Sequence, residues 1–460
     1  MARTRKKSAN SSGSGITIES HFSDFTFYCF LIYVISYYLH ITSRVSVLGA
    51  IRFDILISAL VMYSIISQLD KFKERLSTPP ARAIVTLLIF IIITVPLVEW
   101  PGSVLKNNLK EFLKAAVFFF FTIAAIDSIK RLKIFIWVFI ACQAIRILEP
   151  LYLNITQGYW GSNTYLGVGE GFANRLSGSP YDVINPNGLG LVIATCFIFM
   201  HYMMGCSKNI KAKLIYLALL PTMAYALILS LSRSGIVAVG IATWQIFIKS
   251  RYKMAIIGVC IVGAIVACSQ MTDVQKERYL SLGGASSNAS ANQTAQGRIN
   301  HLYAQFEVGM NRPIFGHGLG TSLEANANIL GKRKIAHNLF LEAFIEIGLI
   351  GLILYLVFLK RIISSLNQLA QQMRDLERTI PNASEHFDYE LRLAQTLRAA
   401  FWTYIIFSIS YFGVSQDWWY LMGGLAAALS TLTKQKRDQL LAESGMTEAD
   451  IKNTKRVRNK

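Results

Sequence analysis

Apolar runs of about helix-spanning length recur along the whole chain, at 25–42, 48–69, 81–99, 109–127, 132–152, 188–206, 212–232, 235–248, 254–271, 338–359, 397–414 and 417–433. About 20 such residues let a helix cross about 30 Å of hydrocarbon. The pattern predicts an all-α membrane protein of about twelve transmembrane helices, not a string of soluble domains. The second run is interrupted early by Arg52 and Asp54, and the fourth follows Lys106 and contains Lys110 and Lys114, so these two are less cleanly apolar. The breaks divide the chain into a basic leader (1–24), helices one to nine (25–271), one long polar loop (272–337), helices ten to twelve (338–433) and a basic tail (434–460).

Composition fits this division, with 53% hydrophobic and only 16% charged residues. The net charge of +19 raises the question of nucleic acid, and its distribution answers it. With the N-terminus inside, thirty-one of the 46 Lys/Arg fall on the inner side, and seven of the rest lie in the long loop. Every short inner loop is basic, which is the positive-inside bias, while long loops report topology poorly. Both termini are therefore expected in the cytoplasm, with 153–187 and 272–337 outside. The basic tail fits anionic membrane lipid, and no basic stripe with interleaved aromatics is left over for nucleic acid. The leader shows no small-residue cleavage pattern, so the first run reads as a retained helix. The six cysteines (29, 142, 196, 206, 260, 268) fall inside apolar runs, with neither disulfide nor metal-type spacing.

Two outer segments carry the candidate chemistry. The first holds Arg175-Leu176-Ser177-Gly178 and Asn185-Pro186-Asn187-Gly188, turn-forming sequence just ahead of the sixth run. The second opens on a Gly/Ser/Asn-rich stretch (283–288) expected to be mobile. Ile299, Leu302, Tyr303, Phe306 and Met310 then recur on one helical face, predicting an amphipathic helix lying in the membrane interface. Asn311-Arg312-Pro313 stops it, and Gly316-His317-Gly318-Leu319-Gly320 follows as a tight loop. Ser232-Arg233-Ser234-Gly235 interrupts 37 otherwise nearly apolar residues (212–248). Arginine at membrane depth is costly and marks either a function or a headgroup anchor. At the start of a helix, its guanidinium and the helix dipole point together at an anion. Arg146, Arg175 and Arg298 are further guanidiniums on the outer side that suit a diphosphate, or lipid headgroups. His337 stands at the mouth of the tenth helix. Imidazole titrates near neutrality, so it suits a general base for a hydroxyl, or equally a helix cap. Glu342 and Glu346, one and two turns further in, either orient a base or face a wet cavity. His317 reads as part of a tight turn, and His301 as a polar-face residue. There is no outward Asp-x-Asp, no metal-ligand cluster, no G-x-S-x-G and no P-loop.

In this order, Arg175-x-x-Gly178 with Asn185-Pro186-Asn187, Ser232-Arg233-Ser234-Gly235, Gly297-Arg298, Pro313-x-x-Gly316-x-Gly318-x-Gly320 and His337-Asn338-x9-Gly348-x-x-Gly351 resemble the O-antigen ligase family of bacterial membrane glycosyltransferases. That family shares a domain with O-antigen polymerases and protein O-oligosaccharyltransferases. The resemblance implies a fold like the class C glycosyltransferases, with an active site at the periplasmic face of the inner membrane. It implies an undecaprenyl-diphosphate-linked O-antigen donor, a lipid A core acceptor, and one-step inverting transfer without metal or cofactor. It assigns the diphosphate to Arg233 and Arg298 and acceptor activation to His337. Arg146 matches none of the motifs. The His-Asn run favours a ligase over a polymerase. A transporter of lipid-linked sugar is the rival from another class, but the chain shows no internal repeat and its candidate residues lie on one side.

Overall fold

The computed structural model describes residues 22–161, 174–270, 289–333, 336–380, 382–411, 413–448 and 450–451. Residues 1–21 of the leader, the stretch 283–288 and the end of the tail lie outside the described residues, as do the side chains of 289–299. Among the described residues there is no strand. The helices that matter here are α1 (Asp24–Leu39), α2 (Phe53–Ile66), α3 (Leu69–Arg75), α4 (Pro79–Thr94), α5 (Leu109–Ala125), α6 (Ile129–Gln157), α7 (Pro186–Met200), α8 (Ile210–Ser230) and α9 (Arg233–Lys249). They continue with α10 (Lys253–Gln270), α11 (Ala289–Asn311), α12 (Ser322–Leu330), α13 (Leu339–Thr379), α14 (Asp388–Phe407) and α15 (Asp417–Glu443).

Side-chain caps set where several apolar runs become helix. Ser23, Ser128, Asn185, Asn209, Ser232 and Asn338 each accept a backbone N–H of the first turn. A helix coincides with every one of the twelve apolar runs. Five stretches are long and apolar enough to cross a membrane: Pro79–Leu97, Ile129–Gln157, Pro186–Gly205, Ile210–Ser230 and Leu339–Thr379. A sixth is added if α2 and α3, bent by 90°, form one span. At 16 residues, α1 falls short by length, as do α5 and α9 at 17 each. The chain is a multi-pass helical membrane protein.

Apolar and polar side chains are partitioned as lipid demands. Leu214, Ile215, Leu217 and Tyr225 of α8 face outward, while Asp182, Glu342 and Glu346 are buried. At the centre is α15, buried on all sides from Trp418 to Leu429, as a helix apolar all round must be. It backs closely onto α5: a Cβ on Gly424 would lie 2.9 Å from the Phe119 carbonyl oxygen.

Contacts along the helices define one end of the bundle. Gly190 meets Gly235 near the starts of α7 and α9, and Ala194 packs with Ala238 a turn further, so these two helices run parallel. The opposite direction is taken by α14: Gln245, late in α9, donates to the Ala399 carbonyl at 3.2 Å, whereas Phe407 at the end of α14 packs on Ala194 and Ala238. The start of α13 joins the same end, because Leu339 N–H donates to the Ser408 carbonyl at 2.9 Å. So do the end of α1 and the start of α15, through Tyr38 donating to Asp417 at 2.7 Å. The far end is tied by the Lys436–Glu390 ion pair at 2.7 Å.

Candidate active site

The break between α8 and α9 is a two-residue turn. Leu231 adopts a left-handed conformation (φ 48°), and the Ser232 hydroxyl accepts the Gly235 N–H at 2.9 Å, starting α9 at Arg233. Arg233 is half-buried at this corner. The corner is braced by Arg175, itself buried. Arg175 Nε donates to the Ser230 carbonyl at 3.1 Å, and its Nη2 to the Leu231 carbonyl at 3.4 Å and to Asn187 Oδ1 at 3.0 Å. The Ser232 hydroxyl donates to that same Asn187 oxygen at 3.0 Å. Gly178 fits because a Cβ there would stand 1.9 Å from the Asp182 carbonyl oxygen. The Arg-x-x-Gly, Asn-Pro-Asn and Ser-Arg-Ser-Gly motifs are therefore one hydrogen-bonded knot, and it presents Arg233.

The glycine loop and the start of α13 form a second unit. Gly348 (φ 66°, ψ −172°) breaks α13, and backbone bonds then run as in a short ladder. Leu349 N–H donates to Pro313 O (2.8 Å), His317 N–H to Ile345 O (2.8 Å) and Gly318 N–H to Glu346 O (3.0 Å). Such backbone-to-backbone approach needs glycine: a Cβ on Gly348 would lie 2.3 Å from Ile314 O. The carboxylate of Glu346 accepts the Gly320 N–H at 2.8 Å, and that of Glu342 accepts the Gly413 N–H at 2.6 Å. Both carboxylates, open in role from the sequence, hold loop backbone in place. His317 is more than a turn residue. It is buried, stacked on Trp100 at 5.4 Å, with Nδ1 2.5 Å from a Glu99 oxygen and Nε2 2.9 Å from the Val308 carbonyl. Facing a carbonyl, Nε2 must carry its proton, so His317 clamps the segment that follows α4, at Glu99 and Trp100, to α11 and the loop.

His337 is exposed, immediately before the cap Asn338. Asn338 Oδ1 accepts the N–H groups of Phe340 and Leu341 at 2.9 and 3.1 Å, while its amide nitrogen donates to the Ile409 carbonyl at 3.0 Å. Two residues on from Ile409, the Tyr411 hydroxyl lies against the turn that starts α7, where a Cβ on Gly188 would stand 3.5 Å from it and 3.6 Å from Asn185 Oδ1. The mouth that carries His337 is thereby linked through 408–411 to the knot that carries Arg233. Arg298 lies on α11, but its side chain is outside the described residues. That helix turns Gln305 and Val308 inward, where Gln305 and Asn326 exchange two hydrogen bonds (2.8 and 3.0 Å). Of its sequence-predicted apolar face, Tyr303 (68%) and Met310 (52%) are exposed, while Phe306 stacks on Phe344 at 5.8 Å.

Arg146 is elsewhere at this end. Its Nε and Nη2 donate to both oxygens of Asp182 (2.6 and 3.1 Å), its Nη1 to Gln143 at 3.3 Å, and the guanidinium lies over the Tyr38 ring at 5.6 Å. It lines a cavity of about 100 Å³ shared with Tyr38, Gln143, Asp417, Trp418 and Ser408. The bundle thus brings Arg175 and Arg233 into one knot, links that knot to His337, and gives Arg146 an internal partner. Reading the sequence missed Asp182, Glu99 and Asp417. Each carboxylate lies in or beside an apolar run, a costly placement that signals a buried partner.

These features define a multi-pass membrane protein with motif-bearing loops and helix starts gathered at one end. Residues 218–356 match the family model Wzy_C, described as O-antigen ligase, so the chain carries an O-antigen ligase domain from within α8 into α13. The match includes Arg233, Arg298 and His337, and leaves out Arg146 and Arg175. Such a domain indicates glycosyl transfer of the O-antigen ligase and polymerase type, with lipid-linked glycans as substrates. No curated protein matches the chain.

Proposed function

We propose that the protein is an O-antigen ligase of the bacterial inner membrane, with twelve crossings, both termini cytoplasmic and the site end facing the periplasm. It transfers a glycan from undecaprenyl diphosphate to a sugar hydroxyl of the lipid A core. The observation that carries this reading is the proximity, at one end of the bundle, of the two helix starts bearing Arg233 and His337, both inside the matched segment and joined through 408–411. In this reading Arg233, helped by Arg298, binds the donor diphosphate, with the start of α9 adding its dipole. His337 takes the proton of the acceptor hydroxyl as its oxygen bonds the anomeric carbon. The carbon–oxygen bond to the diphosphate breaks in the same step, and the diphosphate leaves as an anion, with inversion. Arg175 serves as a positioning residue for Arg233.

The test uses full-length protein in lipid nanodiscs with the glycan-bearing donor lipid and lipid A core. Release of undecaprenyl diphosphate together with glycosylated core supports the ligase. Release only when a second glycan-lipid replaces the core identifies a polymerase. Movement of donor lipid across a vesicle bilayer with no release refutes transfer altogether.

A further inference from the structure

The cavity beside Arg146 is built for something other than a diphosphate. All three guanidinium nitrogens of Arg146 are committed, two to Asp182 and one to Gln143. The other charged group on its wall is Asp417, a carboxylate, held by the Tyr38 hydroxyl at 2.7 Å. An anion entering here meets a neutralised cation and a negative charge. An uncharged ligand rich in hydroxyls meets a mixed set of donors and acceptors: the amides of Gln143 and Gln416, the Asp417 carboxylate and the Tyr38 hydroxyl. Aromatic surface adjoins them, with Trp418 stacked on Tyr404 at 4.4 Å. A few convergent polar groups on an aromatic wall is the usual make-up of a small-molecule pocket.

One further observation points to a ligand. Trp418 is 5% exposed, and its indole N–H is buried with no hydrogen-bond partner among the described residues. A buried donor left unmade is costly and calls for an explanation. Trp418 lines the cavity, so an acceptor bound there is the natural partner.

The place is also right. Ser408 lines the cavity and its carbonyl receives the Leu339 N–H, two residues from His337. Gly188 lines it too and belongs to the Asn185–Gly188 turn of the Arg233 knot.

We infer that this cavity is a saccharide subsite, which takes one neutral sugar ring of the lipid-linked glycan while the diphosphate stays at Arg233. The inference rests on the transfer reading above. It divides donor recognition into a guanidinium site for the diphosphate and an aromatic, uncharged-ligand site for the first sugar.

Binding of two probes separates them: the glycan-bearing donor lipid and plain undecaprenyl diphosphate, each titrated onto full-length protein in nanodiscs. Wild type is expected to hold the glycan-bearing lipid more tightly. Trp418→Phe removes the orphaned donor and keeps an aromatic ring, and Gln416→Ala removes one amide. Each is expected to weaken the glycan-bearing lipid about 5- to 10-fold, as loss of a neutral hydrogen bond does, and to leave undecaprenyl diphosphate unchanged. Arg233→Ala should weaken both. A purely structural Trp418 predicts the reverse for Trp418→Phe, with thermal stability equal or higher and both affinities intact, and that result overturns the subsite. So does an equal loss for the two lipids in Gln416→Ala. If wild type transfers glycan but binds both lipids equally, only the subsite falls. If it neither transfers nor distinguishes them, the transfer reading falls and takes the subsite with it.

Discussion

Replacing Arg175 separates a brace from a ligand-binding residue. In the structure its guanidinium is buried and reaches the Ser230 and Leu231 carbonyls and Asn187, at 3.1, 3.4 and 3.0 Å. Alanine strips all three acceptors of this donor at once. A buried acceptor left without its partner costs about 1–3 kcal/mol. Groups sharing one network do not add, so the cost to this corner is roughly 2–5 kcal/mol. Asn187 keeps its bond from the Ser232 hydroxyl, which holds the estimate below the simple sum. Lysine brings a single point of donation where a planar fork spans three acceptors, and should recover less than half of the loss. The assay pairs thermal melting of purified protein with donor-lipid affinity. A brace predicts that Arg175→Ala lowers the melting temperature and weakens donor binding together, because the same turn positions Arg233. Melting like wild type combined with lost donor affinity would refute the brace and return Arg175 to the diphosphate itself.

Further outcomes are expected. Arg233→Ala should cut transfer about 30-fold or more, on the order of 2–5 kcal/mol for a buried charge-assisted pair, with Arg233→Lys only partly restored; a normal rate in Arg233→Ala makes it a headgroup anchor. Loss of a general base costs on the order of 100- to 10,000-fold, so His337→Ala should insert and bind donor lipid yet barely transfer. Because the leaving diphosphate needs no acid, wild type should show a single rising limb of rate with pH, and a bell-shaped profile counts against one base. Gly348→Ala places a Cβ 2.3 Å from Ile314 O at φ 66°, and should lose at least the roughly 1–3 kcal/mol of a strained backbone position, measured as a lower melting temperature; unchanged melting means the seam between loop and helix is not built as described. Single cysteines at Tyr303 and Gln372, both exposed, should react with a membrane-impermeant reagent on intact spheroplasts only at 303, and labelling only at 372 inverts the orientation.

The helices were legible because their signals are local: apolar length and an Asn or Ser at the start. Most runs were recovered to within a few residues, apart from α14, which starts nine residues ahead of its apolar run and ends seven before that run does, and α13 and α15, which continue far beyond theirs. Motif chemistry was legible as residue type, so Arg233 and His337 stand at helix starts as the sequence indicated. What could not be read was partnership. Arg146 and Asp182 are 36 residues apart and His317 and Glu99 are 218 apart, and no periodicity joins such pairs. The glycines of 316–320 signalled a tight turn, but not that Gly348 would meet them backbone to backbone. A helix covers the stretch whose period marked it as amphipathic, while the partner of its other face, Asn326 on α12, came only from packing.

The break at Gly348 has a mechanical meaning. Below it, α13 is a long rod running through the bundle to Thr379, and a rod of that kind must tilt when the bilayer thins or thickens. Just above it, the carbonyls of Ile345 and Glu346 take the N–H groups of His317 and Gly318 and the Glu346 carboxylate takes that of Gly320; just below it, Leu349 N–H is given to the Pro313 carbonyl. One loop therefore holds both sides of the break, so the segment just after His337 and the first turn of the rod share a single anchor. In the proposed mechanism, a tilt of the rod forced by the bilayer would act on that anchor, and so on the loop and the helix start beside the histidine together.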